Sequence, residues 1–158
     1  MYHRVNISFN INNIKRITMK KIVTILCVLG AGLLFADGFK DESQMRAFSD
    51  KFMDNMIQKE FKKGFDSAKL YWPLPTVEID SLVNQIEQQW PIIDQRFGKV
   101  VGREFVKEEK IGQSFMRYYY LHKFNNHAMY WRIGFYKAKD EWKINSINYL
   151  DSLDNLYE

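Results

Sequence analysis

The chain has 158 residues, of which 23 are basic and 19 acidic, for a formal net charge of +4, with one cysteine and three histidines. A single cysteine leaves no partner for an intrachain disulfide, so a disulfide scaffold is excluded. The length suits one domain large enough to be held together by a hydrophobic core.

The first 36 residues contain Arg4, Lys15, Arg16, Lys20 and Lys21 and no acidic residue; acids begin at Asp37. From Met19 the chain reads MKKIVTILCVLGAGLLFADGF: two lysines, an apolar run from Ile22 to Phe35, then Ala36 before the charged region. A positive start, a short apolar run and a small exit residue predict a secretory signal peptide over 19–36 and hence a protein in the periplasm or outside the cell. The apolar run has 14 residues, short of the ~20 that span a bilayer as a helix. That favours cleavage over a permanent anchor. Leu34 stands where an A-x-A site has a small residue, so an uncleaved anchor is the alternative, and it is the only membrane contact the sequence suggests. Residues 1–18 precede an already complete Met-Lys-Lys start and read as an upstream extension without a structural role. Cys27 follows Leu26 in the middle of the run, which argues against lipidation.

Without residues 1–36, five of the 23 basic residues and none of the 19 acidic ones are lost, leaving 18 against 19 and a net charge of −1. The basic balance belongs to the leader, and a nucleic-acid partner loses its main support. The mature chain, 37–158, also loses its cysteine, which excludes thiol catalysis and Cys-ligated metal sites. No repeat or Gly/Ser linker interrupts it, so it reads as one domain.

Met45, Phe48, Phe52 and Met56 recur at steps of three and four, the spacing of one helix face. Asp41, with Gln44 three residues later, marks its start as a capping box. A second, shorter helix runs through EFKKGFDSAKLYW, with Phe61, Phe65, Ala68 and Trp72 as its apolar set and Gly64 as a weak point. Trp72-Pro73-Leu74-Pro75 ends it. A third begins near Glu78 and carries Ile79, Leu82, Val83, Ile86, Trp90, Ile93 and Phe97; Pro91 is expected to kink or divide it and Gly98 to stop it.

From Lys99 the pattern is strand-like, with segments near 100–109, 113–124, 127–137 and 141–150. Asn125-Asn126 tolerates positive φ and suits a two-residue hairpin turn. That turn fixes a register: Phe124 opposite His127, then His122 with Met129, Tyr120 with Trp131, Tyr118 with Ile133 and Met116 with Phe135. These residues form one face. The other pairs Leu121 with Tyr130, Tyr119 with Arg132, Arg117 with Gly134 and Phe115 with Tyr136. A slip of one residue would exchange the two faces.

Three helices before a four-stranded antiparallel meander predict an α+β fold with the helices on one face of a curved sheet. The succession DKFMDNMIQKEFKKGFDSAKLYW, then SLVNQIEQQWPIIDQRFGKVVG, then strands ending in DEWKINSINYLD resembles small exported domains grouped with the nuclear transport factor 2-like and cystatin-like folds. The resemblance spans about Met45 to Asp151 and includes no catalytic motif. It implies a cone between sheet and helices, where enzymes of that superfamily place Tyr, His, Asp or Arg, and it implies dimerisation by sheet packing.

The chain has no Gly-rich phosphate loop, G-x-S-x-G or H-E-x-x-H motif. No cofactor and no metal site are expected. His122 and His127 flank the Asn-Asn turn and read as strand-end histidines near solvent, with no inward carboxylate to pair with His122. In the cone Tyr118, Tyr120, His122 and Trp131 are the candidates for holding a small apolar or aromatic ligand, or for isomerase, dehydratase or hydrolase chemistry. The plainer reading is that these rings fill the core. On the opposite face Arg117, Tyr119, Leu121, Tyr130, Arg132 and Tyr136, with Phe115, are too apolar for a bare sheet, and the arginines suit stacking on the rings. They are the candidate interface for a homodimer or another partner. The sequence therefore predicts a non-enzymatic exported binding domain.

Overall fold

The computed structural model describes residues 37–157; the leader expected at 19–36, the extension 1–18 and Cys27 lie outside them. Helix α1, Glu42–Ile57, starts at Asp41, whose extended backbone (φ −151°, ψ 173°) lets its carboxylate accept the Gln44 amide at 2.9 Å. The Gln44 side chain accepts the Lys40 amide at 3.0 Å, one residue earlier than in a reciprocal capping box. Met45, Phe52, Met53 and Met56 form its buried face. The chain leaves α1 through Lys59 at φ 61°, a left-handed exit in which the Lys59 amide donates to Met56 O at 3.1 Å.

Helix α2, Phe61–Lys69, buries Phe61, Phe65 and Ala68. Gly64 is a contact point here: a β-carbon at that position would collide with the Met56 methyl group, so its absence lets α2 lie close against α1. Helix α3, Val77–Phe97, is not divided at Pro91. Pro91 and Glu87, whose carbonyl loses its usual donor to the proline, are both exposed, on the side of the helix where solvent can take the place of the missing donor. Ile79, Val83, Ile86, Trp90 and Phe97 meanwhile keep one buried stripe along the helix. Among the described residues no helix is long and apolar enough to cross a membrane.

Strands β1 (Val100–Ile111), β2 (Phe115–Phe124), β3 (Ala128–Lys137) and β4 (Trp142–Leu150) form one antiparallel sheet in the order β1-β2-β3-β4. The fold is α+β, three helices packed against an open four-stranded sheet. The β2–β3 register is the one the sequence predicts, from Lys123 opposite Ala128 to Phe115 opposite Tyr136. The turn differs: neither asparagine takes positive φ. Their amides instead donate to Lys99 O (Asn125, 2.9 Å) and Phe97 O (Asn126, 3.0 Å), tying the hairpin to the end of α3. External partners thus set the turn conformation, where an isolated hairpin would favour the positive-φ turns.

The two sheet edges are protected differently. Along β4, Phe39 exchanges amide bonds with Trp142 (2.8 and 2.9 Å), and the Ile144 amide donates to Tyr71 O at 3.0 Å. Along β1, bulges between Val100 and Gly102 and between Phe105 and Lys107 break the flat edge that another strand would need.

Candidate functional site

The inner face of the sheet is consumed by the core. Tyr118, Tyr120, His122 and Trp131 are all at most 1% exposed. Trp131 sits between Phe52 (5.9 Å between ring centroids), Phe65 (6.5 Å) and Tyr149 (5.1 Å). Trp90 and Phe97, each 4% exposed, pack from α3 against Phe124 of β2 (ring centroids 6.1 and 5.4 Å apart). Tyr118 and Tyr120 are spent on structural bonds: the first hydroxyl donates to Glu42 O at 3.3 Å, the second to Asp50 Oδ1 at 3.1 Å. Burial pushes the Tyr118 phenol up to about 12, and Tyr120 rises as well, for the same reason. Neither ionises near neutral pH, so neither serves as a base.

His122 is not near solvent, which corrects the expectation for a strand-end histidine. It is fully buried, stacked 4.5 Å from Phe124 with planes 6° apart and 5.3 Å from Trp90. Neither ring nitrogen has a hydrogen-bond partner among the described residues, and the nearby Trp90 indole nitrogen has none either. Burial lowers the imidazole to about 4, with Asp94 opposing and Lys59 adding to the shift. His127 is exposed, its ring edge-on to Phe97 at 4.4 Å. Among the described residues no group of three or more His, Cys, Asp or Glu is placed to hold a metal ion.

A polar cluster that the sequence reading passed over lies between α1 and β1. Asp50 accepts from Arg46 Nε (3.1 Å), an Arg103 terminal nitrogen (2.8 Å) and Tyr120 OH, while Asp54 accepts from Arg103 Nε at 2.6 Å. The Arg46 guanidinium lies over the Phe105 ring, 3.3 Å from its centre. The Asp54 hydrogen bond above all raises Arg103, against the cost of its burial. Every charge in this cluster is answered from within it, which makes it a clamp of α1 on the sheet. The i, i+4 run Arg46, Asp50, Asp54 was the signal that could have found it.

The outer face carries Arg117, Tyr119, Leu121, Tyr130, Arg132 and Tyr136 together, as the register requires. Their exposure is uneven. Tyr119 and Tyr130 are buried at 4% and 0%, whereas Phe115 and Tyr136, stacked 4.7 Å apart, are 41% and 39% exposed. Tyr119 is held down by Lys107, 5.2 Å over its ring, and by a 2.6 Å bond from its hydroxyl to Glu109. That bond lowers the Glu109 carboxyl despite partial burial, while burial and Glu109 together raise Tyr119. Beside Tyr136, a surface cleft of about 600 Å³ is lined by Pro73, Ala138, Lys139, Asp140, Glu141 and Lys143.

No protein-family model matches this chain, and neither a curated protein nor a solved structure is similar to it.

Proposed function

We infer that this is a non-enzymatic exported domain whose work is binding, and that it binds through the outer face of its sheet, including to a second copy of itself. The observation carrying this reading is the contrast between the two faces. Inside, Tyr118, Tyr120, His122 and Trp131 are at most 1% exposed, with their bulk spent on the core. Outside, the two central strands carry the stacked and exposed Phe115 and Tyr136 with half-buried Leu121, Arg117 and Arg132, a face that lies apart from the hydrophobic core cluster. Tyr and Arg are the residue types that concentrate binding energy in protein interfaces, whereas solvated sheet faces favour small polar and charged side chains. Export is supported by the basic, then apolar, start of the chain before Asp37. The nuclear transport factor 2-like or cystatin-like assignment belongs to the same proposal: a helical layer on one face of an open antiparallel sheet leaves the other face for assembly.

The test is mass in solution by sedimentation equilibrium across a range of concentrations. The wild type is expected to associate, and Tyr119→Ala/Arg132→Ala to remain monomeric with an unchanged far-ultraviolet spectrum. Equal association of the two proteins would remove the outer face from the proposal.

A further inference from the structure

His122 sits where α3 meets the sheet, and it holds the two together without a hydrogen bond. Its ring is 0% exposed, lies flat on Phe124 at 4.5 Å and meets Trp90 of α3 at 5.3 Å. Both of its ring nitrogens and the Trp90 indole nitrogen lack hydrogen-bond partners among the described residues. The contact is therefore ring on ring, and it suits a neutral imidazole only. A buried positive charge with no bond to it is strongly disfavoured.

The charged groups around the ring leave that balance in place. Asp94 comes from α3 and Lys59 from the exit of α1, and the two are paired with each other. On β1 the cross-strand neighbour is Arg103, whose guanidinium is held by Asp50 and Asp54. β3 places Met129 opposite His122, and α2 contributes Phe61, packed 4.5 Å from Trp90.

The three helices are tied down unequally. α1 is clamped by Arg103 to Asp50 and Asp54 and by the Tyr118 and Tyr120 hydroxyls. The chain just after α2 takes the Ile144 amide of β4 on Tyr71 O at 3.0 Å. α3 rests on Trp90 and Phe97 against β2, with polar ties at its surface: Gln89 to Tyr149 at 2.8 Å, Arg96 to Asp151 at 3.9 Å, Asp94 to Lys59 and Asp80 to Lys69. Exposed pairs of this kind hold weakly. The main-chain bond from the Asn126 amide to Phe97 O, at 3.0 Å, lies at the last residue of α3.

A charged His122 has two ways to reach water. Freeing it by moving β2 breaks main-chain ladders on both sides, because β2 is paired with β1 and with β3. Lifting α3 breaks side-chain contacts and the surface ties alone. Both ends of α3 allow the movement: Trp72-Pro73-Leu74-Pro75 precedes it, and Gly98, at φ 83°, follows it.

We propose that α3 is an acid-released lid: protonation of His122 frees the helix from the sheet while α1, α2 and the four strands stay folded, and uncovers the Ile79, Val83, Ile86, Trp90 and Phe97 stripe. The device lies on the helical side and is independent of binding through the outer face. Released, His122 regains its ordinary value of 6.5 in place of about 4, so opening becomes about sixtyfold more favourable at pH 4.5 than at pH 7.

The experiment is amide hydrogen exchange on the full chain at pH 7 and 4.5, read by mass spectrometry of peptic peptides and corrected for the intrinsic pH dependence of exchange. Peptides from α3 are expected to lose protection by about sixtyfold on acidification, while those from α1 and from β2–β3 keep theirs. His122→Phe and His122→Leu, two replacements that cannot take up a proton, are expected to remove the selective loss in α3, and either suffices if the other does not fold. Loss of protection in α1, α3 and the strands together overturns the lid in favour of global acid unfolding. The same loss in α3 for a non-titrating variant as for the wild type overturns the role of His122 and assigns release to the surface carboxylates Asp80, Asp94 and Asp151.

Discussion

Trp131→Ala is expected to lower the stability of the domain by about 3–5 kcal/mol, the usual cost of emptying a buried tryptophan position. That is a large share of the ~5–15 kcal/mol that holds a domain together. The reason lies in where Trp131 sits: at 0% exposure, on a central strand, in contact with Phe52 of α1, Phe65 of α2 and Tyr149 of β4. One side chain therefore joins both short helices to the sheet. Its indole nitrogen has no hydrogen-bond partner among the described residues, so Trp131→Phe is expected to cost less than half as much, losing volume but no bond. Urea unfolding followed by circular dichroism measures both. A loss under 1 kcal/mol for the alanine variant would mean that the space is already loose, as a ligand cavity would be, and would count against a filled interior.

Lowering the pH from 7 to 4.5 is expected to cost about 2–3 kcal/mol through His122 alone. Its folded-state value, about 4, lies below the ordinary 6.5 because burial disfavours the charged ring. The neutral ring is what the fold accommodates, so this contribution is fully present above pH 6.5 and is lost as pH falls toward 4. The charged groups around it are Asp94 from α3, Lys59 from the α1 exit and Arg103 as cross-strand partner on β1, and the first opposes the burial effect only in part. His122→Phe keeps the stack on Phe124 and Trp90 and removes two unpartnered nitrogens. It is expected to equal or exceed the wild type at pH 7 and to lose markedly less on acidification. Other carboxylates contribute to acid unfolding in both proteins, so the difference between their urea midpoints at the two pH values is the readout. Identical pH slopes would show that His122 reaches water.

Much of the architecture was legible because local patterns and tertiary demands agree. The alternation in RYYYLHKF and AMYWRIGF fixed the β2–β3 register, since a slip of one residue would have turned Trp131 and Tyr120 toward solvent. The steps of three and four in α1 and α3 marked the faces that are buried. What the pattern could not carry was parity in β1. Val100 faces inward opposite Phe124, so a regular strand would turn Arg103 outward; the bulge before Gly102 brings Arg103 inward, opposite His122 and within reach of Asp50 and Asp54. The extra residue at Val106 resets the parity again, putting Lys107 outside opposite Tyr119. A bulge leaves no periodicity signal, so the spacing of Arg46, Asp50 and Asp54 could mark the α1 half of the clamp but not Arg103 as its partner on β1.

Pro91 does not divide α3, and Asn125-Asn126 make the expected two-residue turn without positive φ, for a shared reason. Each was judged by its own backbone preference, and each is set by its neighbours: exposure on α3 for the proline, and the carbonyls of Phe97 and Lys99 for the turn. On the candidate site, the sequence separated the faces correctly but not their exposure. Tyr119 and Tyr130 are buried on the outer face, and the sequence alone does not reveal that Lys107 and Glu109 fold over Tyr119.

The central claim, that the outer face of the sheet is the working surface, is tested most directly by photo-crosslinking in living cells with benzoylphenylalanine placed at Tyr136 or at Leu70. Both positions are exposed, at 39% and 59%, the first on the outer face and the second beside α2. A crosslinked adduct from position 136 and none from position 70 is the predicted result. Adducts from position 70 alone would place the working surface on the helical side and contradict the account.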